Sequence, residues 1–95
     1  MKMRGDYLIK KERERQIVEE GWTKEHDSDH NYLEFVKAAI SYCIANFSEE
    51  QAKEDSKAWW PWDEKWYKPK DNLRNLIRAG ALIAAAIDNY QDNEK

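Results

Sequence analysis

His26 and His30, the two histidines of the chain, lie four residues apart in the segment EGWTKEHDSDHNY (residues 20–32). On one helix this spacing places both imidazoles on the same face, as in sites where two histidines bind one zinc ion. Glu20, Glu25 or Glu34 could supply a third ligand or a general base. The segment lacks the glutamate that directly follows the first histidine in the zinc-protease motif. We therefore expect the two imidazoles to act as hydrogen-bonding groups, and we predict no metal and no cofactor.

Basic side chains interrupt an otherwise acidic chain. Arg74 and Arg78 are four residues apart and share one helical face, while Lys68 and Lys70 precede the positively polarised N-terminus of that helix. A guanidinium can hold two phosphate oxygens, and a helix N-terminus adds free backbone donors. Together with Arg15, these residues predict a phosphate site. For each of them alone, a salt bridge to one of the many carboxylates is the simpler explanation.

Four of the five tryptophans lie in the segment WWPWDEKWYKPK (residues 59–70), where prolines discourage a continuous helix. Trp62 and Trp66 offer flat faces on which a nucleobase can stack, with a gain of about 1–3 kcal/mol per base. In a small domain that is poor in aliphatic residues, the same rings can instead complete the core. An ordered aromatic loop beside cations and a polar rim is typical of a pocket for a phosphate-bearing and base-bearing molecule. The rim residues that we expect to bind the ligand are Trp22, Thr23, His26, Asp27 and His30.

Two segments in the first half of the chain have helical patterns. Residues 6–20 are strong helix formers, and Gly21 follows at a position where a glycine can end a helix. From about Tyr32 to Phe47, apolar residues recur at three- and four-residue steps, which predicts a second helix. Thr23 or Asp27 could cap it.

A third helix is predicted from its cap at Asp71 to about Tyr90. Its buried face is expected to consist of Leu73, Leu76, Ile77, Gly80, Ala81, Ile83, Ala84 and Ile87. Gly80 costs this helix roughly 1 kcal/mol relative to alanine, which indicates close approach of another helix or of an aromatic ring, or else a self-association face. Residues 48–58 (SEEQAKEDSKA) have no apolar face and are predicted to form a solvated extension or a loop.

The size and composition of the chain limit its architecture and its partners. Ninety-five residues make one domain, and no alternating apolar pattern predicts a strand, so we expect an all-α bundle of about three helices over residues 1–95. The net charge of −3 argues against a long nucleic acid as partner. No apolar run reaches membrane-spanning length and no signal peptide is recognisable, so we expect a cytoplasmic protein without a membrane partner.

The order of three segments, ERERQIVEEGWTKEHDSDH, AAISYCIA and WPWDEKWYKPKDNLRNLIRAGALIAAAID, resembles a family of small helical proteins encoded by phages and prophages. The similarity covers nearly the whole chain through the pattern EGWTxEHDxxH, WPWDxxWxKP and AGALI. The chain departs from the family at Ser28, where an acidic residue is more usual, and at Leu33, where a glycine would open the second helix. The resemblance implies a viral protein in the cytoplasm of an infected or lysogenic host cell. It supplies no catalytic residues.

These patterns together predict a homo-oligomeric protein that binds and sequesters a nucleotide-derived small molecule, such as a host immune signal. Arg15, Lys68, Arg74 and Arg78 would bind phosphates, and Trp62 or Trp66 would stack on the base. Because no nucleophile–base pair and no complete metal set is visible, binding is favoured over catalysis. Two alternatives stay open. One is a metal-dependent nucleotide phosphohydrolase that uses the cluster of His26, Asp27 and His30, and the other is an inhibitor that binds a host protein.

Overall fold

A computed structural model describes residues 2–19 and 31–93 of the chain. Within these two ranges the chain forms four α-helices and one short 3₁₀ helix (Glu64–Trp66), without a β-strand. The α-helices are α1 (Gly5–Glu19), α2 (Tyr32–Ile44), α3 (Glu50–Trp59) and α4 (Asn72–Asn93). The all-α prediction is confirmed, whereas the expected number of three helices is too low. None of the helices in the described ranges is both long and apolar enough to cross a lipid bilayer.

Helix α3 is the element that the sequence pattern does not predict. Its buried face consists of two small residues four positions apart, Ala52 and Ser56. Because these side chains are small, α3 approaches α2 closely, and the Ser56 hydroxyl donates to the Ser41 carbonyl oxygen at 2.8 Å. The prediction of a solvated extension or loop for residues 48–58 is therefore wrong. It relied on large apolar residues to mark a buried face.

Asn31 is the N-cap of helix α2 and directly precedes its first residue, Tyr32. The Asn31 side-chain oxygen accepts from the backbone N–H of Leu33 at 2.8 Å, and the Glu34 carboxylate accepts from the backbone N–H of Asn31 at 2.9 Å. This reciprocal capping box satisfies donors that the first turn would otherwise leave free. The helix ends at Ile44, three residues before the predicted end. Gly21, Thr23 and Asp27, the residues expected to end α1 or to cap the second helix, lie outside the described residues.

Helix α4 is the centre of the fold, because α2 packs against one side of it and α1 against another. The core between α2 and α4 consists of Phe35, Ala38, Ala39, Tyr42, Ala79, Leu82, Ala85 and Ala86. The many alanines allow the two helices to pack closely around the few large side chains. The predicted cap of α4 is confirmed, since the Asp71 carboxylate accepts from the backbone N–H of Arg74 at 2.8 Å.

The buried face of α4 is rotated relative to the predicted face. Ile77 and Ala81 are buried as expected, but four residues that were expected inside are 41–59% exposed: Leu73, Leu76, Ile83 and Ile87. Polar residues take their place, among them Asn75, which donates to Asn46 and to the Lys70 carbonyl oxygen, both at 3.0 Å. Both hydrogen-bond partners of Asn75 lie outside α4. They make burial of a polar residue possible where the local pattern favours an apolar one.

Gly80 lies where α1 crosses α4. A Cβ atom at this position would lie 2.5 Å from Cδ1 and 2.7 Å from Cγ1 of Ile9. Both distances are far shorter than ordinary van der Waals contact. The interpretation of Gly80 as a point of close helix approach is confirmed.

We expect Gly80→Ala to lower the free energy of unfolding by about 1 kcal/mol. Overpacking against Ile9 costs about 1–3 kcal/mol, which outweighs a gain of roughly 1 kcal/mol in helix propensity. In an Ile9→Ala background the colliding atoms are absent, so the same substitution should raise stability. Urea unfolding of the four proteins in this double-mutant cycle measures both effects. A loss of similar size in both backgrounds would show that Ile9 is not the cause.

Candidate functional site

A small hollow, which we call the Arg78 hollow, lies among α1, α2, α4 and the tryptophan-rich connection between α3 and α4. Its volume is about 20 Å³, which is room for about one water molecule. Its charged lining residues are Glu12, Arg15, Lys68 and Arg78. Gln16, Tyr42, Trp60, Trp66 and Leu82 complete the lining.

The structure brings together four of the predicted ligand-binding residues: Arg15, Trp66, Lys68 and Arg78. They come from α1, from the tryptophan-rich connection and from α4, segments that are far apart in the sequence. Arg74 does not line the hollow, but it donates a hydrogen bond to Glu12, which does. Trp62 does not line the hollow either. Five of the predicted residues lie outside the described ranges: Trp22, Thr23, His26, Asp27 and His30.

Glu12 is the acidic residue of the hollow, and the sequence patterns did not single it out. Its two carboxylate oxygens accept from Nε and Nη2 of Arg15 at 2.8 and 2.7 Å, and one of them accepts from Arg74 at 2.7 Å. Gln16 adds a further hydrogen bond at 3.2 Å. Burial alone would raise the pKa of Glu12, but the hydrogen bonds from Arg15 and the charges of Arg15 and Arg74 outweigh it. The pKa of Glu12 is therefore below its ordinary value.

Arg78 is only 9% exposed, which is unusual for a charged side chain. Its Nη1 donates to the Lys68 carbonyl oxygen, and its guanidinium carbon lies 5.8 Å from the centre of the Tyr42 ring. Its Nε is buried without a hydrogen-bond partner among the residues that the structure describes, as is the side-chain oxygen of Gln16. No ion pair joins Arg78 to a carboxylate of the described residues. The hollow thus holds a buried cation with an unused donor.

The balance of charge in the hollow is opposite to that of the whole protein. Among the described residues, three cationic side chains and one carboxylate line it, an excess of two positive charges, in a chain with a net charge of −3. Because Glu12 already binds Arg15 and Arg74, its charge is not directed at Arg78. An anion that enters the hollow would meet a positive local field.

A cluster of aromatic rings holds the tryptophan-rich connection against α2. The Tyr42 ring lies 5.6 Å from the Trp60 ring and 5.2 Å from the Tyr67 ring, centre to centre. The Tyr42 hydroxyl accepts from the backbone N–H of Lys68 at 3.1 Å, which places Lys68 beside the hollow. Burial, with a contribution from Tyr42, raises the pKa of Tyr67 to about 12. Tyr67 therefore remains a donor, and its hydroxyl donates to the Ser41 carbonyl oxygen at 3.2 Å.

The two tryptophans that were expected to stack on a base have different environments. Trp62 donates from Nε1 to the Glu34 carboxylate at 3.1 Å, and its ring packs edge-on against Phe35 and Trp60. Trp66 lines the hollow and is about half exposed, with the Lys65 ammonium 5.3 Å from its ring centre. Of the pair, Trp66 is the ring that a ligand of the hollow could reach.

The N-terminus of α4, which we expected to add backbone donors for a phosphate, is occupied by side chains of the protein. Asp71 accepts from the backbone N–H of Arg74 at 2.8 Å, and the Asn75 side chain accepts from the backbone N–H of Lys70 at 2.7 Å. The Asp71 cap therefore uses one of the backbone donors of the first turn of α4, that of Arg74.

Within residues 2–19 and 31–93, no group of three or more His, Cys, Asp or Glu side chains is placed to hold a metal ion. The predicted cluster of His26, Asp27 and His30 falls outside these ranges. Comparison of the chain with protein-family models, curated proteins and solved structures gives no significant match.

Proposed function

We propose that the protein binds a phosphate-bearing, nucleotide-derived small molecule at the Arg78 hollow and sequesters it without changing it chemically. The observation that carries this proposal is the buried guanidinium of Arg78, which lies beside Arg15 and Lys68 and lacks a carboxylate partner among the described residues. Burial of a charge without a counterion costs free energy. A bound phosphate would offset that cost.

The size of the hollow determines how such a ligand would bind. Pockets that enclose a small molecule usually measure about 300–1,000 Å³, whereas the Arg78 hollow measures about 20 Å³. Only about one phosphate oxygen would enter it, and the rest of the phosphate group would lie at its mouth. A terminal phosphate carries about −1.5 to −2 charges at neutral pH, which matches the excess of two positive charges in the lining. The sugar and the base would remain outside, with the base on the exposed ring of Trp66.

Binding without turnover agrees with the state of Glu12, the carboxylate that lines the hollow among the described residues. Glu12 is held between Arg15 and Arg74, which lowers its pKa. A carboxylate with a lowered pKa is a weak general base. The lining therefore suits recognition of an anion better than activation of water.

The biological setting that we propose comes from the resemblance to phage-encoded proteins. In that setting the protein would act in the cytoplasm of an infected host as a homo-oligomer. Its ligand would be a nucleotide signal of host immunity. Removal of such a signal from solution would protect the phage without any enzymatic step.

Isothermal titration tests the proposal with cyclic dinucleotides and with ADP-ribose derivatives, and with mononucleotides that carry a terminal phosphate. We expect Trp66→Ala to weaken binding by about 5- to 150-fold, which corresponds to the loss of one stacked base. Trp59→Ala is a matched control, because Trp59 is exposed to a similar degree (44% against 52%) but does not line the hollow. Absence of heat with every compound would contradict the proposal. Conversion of a ligand during incubation, abolished by a chelator and by His30→Ala, would favour the phosphohydrolase alternative.

A further inference from the structure

An apolar surface runs along α4 on the side opposite the Arg78 hollow. Its residues follow a three–four spacing along the helix and comprise Leu73, Leu76, Gly80, Ile83, Ile87 and Tyr90. The five large side chains are 41–59% exposed, and Ile9 of α1 covers Gly80. No ionisable side chain except that of Tyr90 belongs to this surface, which we call the α4 stripe. Its spacing is that of the seam between two paired helices.

The apolar surface continues onto α2. The Tyr32 ring meets the Tyr90 ring edge-on at 5.0 Å, and the neighbouring Leu33 is about half exposed. This surface is about 26 Å long and about two helices wide, so its flat area is on the order of 500 Å². Its accessible area is larger, because the side chains project from it. A specific dimer buries about 800 Å² of accessible surface on each partner. The α4 stripe and its extension therefore approach the size that one stable interface needs.

The positions along the stripe are symmetric about its midpoint. Leu73 and Tyr90, Leu76 and Ile87, and Gly80 and Ile83 are three pairs, and every pair has its midpoint between Ala81 and Leu82. If two copies of α4 lie antiparallel with this midpoint on a two-fold axis, the large side chains of the two outer pairs meet their counterparts. At the inner pair, Ile83 of one copy meets the Ile9 side chain that covers Gly80 in the other. Self-complementarity of this kind is what an isologous contact requires.

The charges at the two ends of α4 agree with the same arrangement. Lys70 and Arg74 lie at the beginning of the helix, and Asp88 and Asp92 lie near its end. Arg74 and Asp88 are equally distant from Ala81, half a residue from the midpoint of the stripe. Both also form ion pairs with α1, to Glu12 and Arg13. Antiparallel pairing brings the basic end of one copy next to the acidic end of the other and aligns the helix dipoles favourably. Parallel pairing would place like charges together.

We propose that a second copy of this chain covers the α4 stripe, with the two α4 helices antiparallel. The two-fold axis passes through the stripe at the level of residues 81 and 82 along the helix. Arg78 and Leu82 line the hollow on the opposite side of α4, so the dimer leaves both hollows open. The dimer proposal is therefore independent of the proposed ligand.

Sedimentation velocity over a range of protein concentrations tests for the dimer. We expect the wild-type chain to be dimeric and Ile87→Glu to raise the dissociation constant at least about 100-fold, because symmetry places two charges in the apolar contact. Val18→Glu is the matched control, since Val18 is 80% exposed on α1 and away from the stripe. Circular dichroism of both variants confirms that the helices are intact. A monomeric wild-type chain, or a dimer that Ile87→Glu leaves unchanged, overturns the proposal.

Cysteine cross-linking in a Cys43→Ser background tests the direction of pairing. Positions 73 and 90 are seventeen residues apart on one helix, about 26 Å, which is too far for a disulfide within one chain. The double variant Leu73→Cys/Tyr90→Cys should therefore form covalent dimers on mild oxidation, while each single variant stays uncross-linked. Cross-linking of the single variants would indicate parallel pairing and would overturn the proposed arrangement, as would a double variant that forms no covalent dimer.

Discussion

Glu12→Ala should lower the free energy of unfolding by about 3 kcal/mol, the largest loss that we expect from one charged side chain. Glu12 is buried and binds Arg15 and Arg74, both at 2.7 Å. Removal of one partner from a buried ion pair typically costs about 3–5 kcal/mol. We expect the low end of this range because Arg15 and Arg74 are themselves partly exposed and can recover hydration.

Urea unfolding measures this loss, and Glu19→Ala provides the control. Glu19 also binds Arg15, at 3.3 Å, but its side chain is largely exposed. Surface pairs of this kind contribute about 0.2–1 kcal/mol, so the control should remain close to wild type. Equal effects of the two substitutions would show that the three-residue cluster of Glu12, Arg15 and Arg74 does not stabilise the fold.

Glu12 should also make stability dependent on pH. Its pKa is lower in the folded protein than in the unfolded chain, so its contribution is complete above the ordinary glutamate pKa of about 4.3. The contribution is lost as the pH falls through the lowered value. Below about pH 4.3 we therefore expect the wild type to lose stability more steeply than Glu12→Gln, which cannot be protonated there. Parallel curves for the two proteins would contradict the assignment.

Arg78→Met should weaken binding of the phosphate-bearing ligand at least about 30-fold, which corresponds to the 2 kcal/mol or more that truncation of a buried charged partner costs. Its effect on stability should be small. Arg78 is a buried cation with an unused Nε donor, so methionine removes a desolvated charge together with the hydrogen bond to Lys68. We expect the free energy of unfolding to stay within about 1 kcal/mol of wild type.

Titration calorimetry and urea unfolding of the same preparation separate the two effects of Arg78→Met. Lys57→Met is the control for net charge, since Lys57 is exposed on α3 and away from the hollow. It should leave both quantities unchanged. A large loss of stability in Arg78→Met would show that the guanidinium has a structural role and would remove the main support for a ligand at the hollow. The combination of lost binding and retained stability is typical of residues kept for function.

Several local features were predictable from particular residues. Asp71 caps α4 as its side chain suggested, and Gly80 marks the crossing with α1. Arg15, Lys68 and Arg78, grouped by charge alone, do line one hollow. Glu12 was missed because it is one of many acidic residues in the chain. The only sign of its role was its position three residues before Arg15.

The sequence by itself determined that the chain is helical and where α1, α2 and α4 begin to within about one residue, because caps and apolar spacing act within a few residues. Only the tertiary structure decided which side of α4 is buried. Alanines and hydrogen-bonded asparagines pack inside, while Leu76, Ile83 and Ile87 remain outside. It also decided that Glu12 pairs with Arg15 and Arg74 and that Arg78 has no carboxylate partner among the described residues. Both outcomes depend on contacts between residues far apart in the chain, where close packing and the pairing of buried charges outweigh local preference.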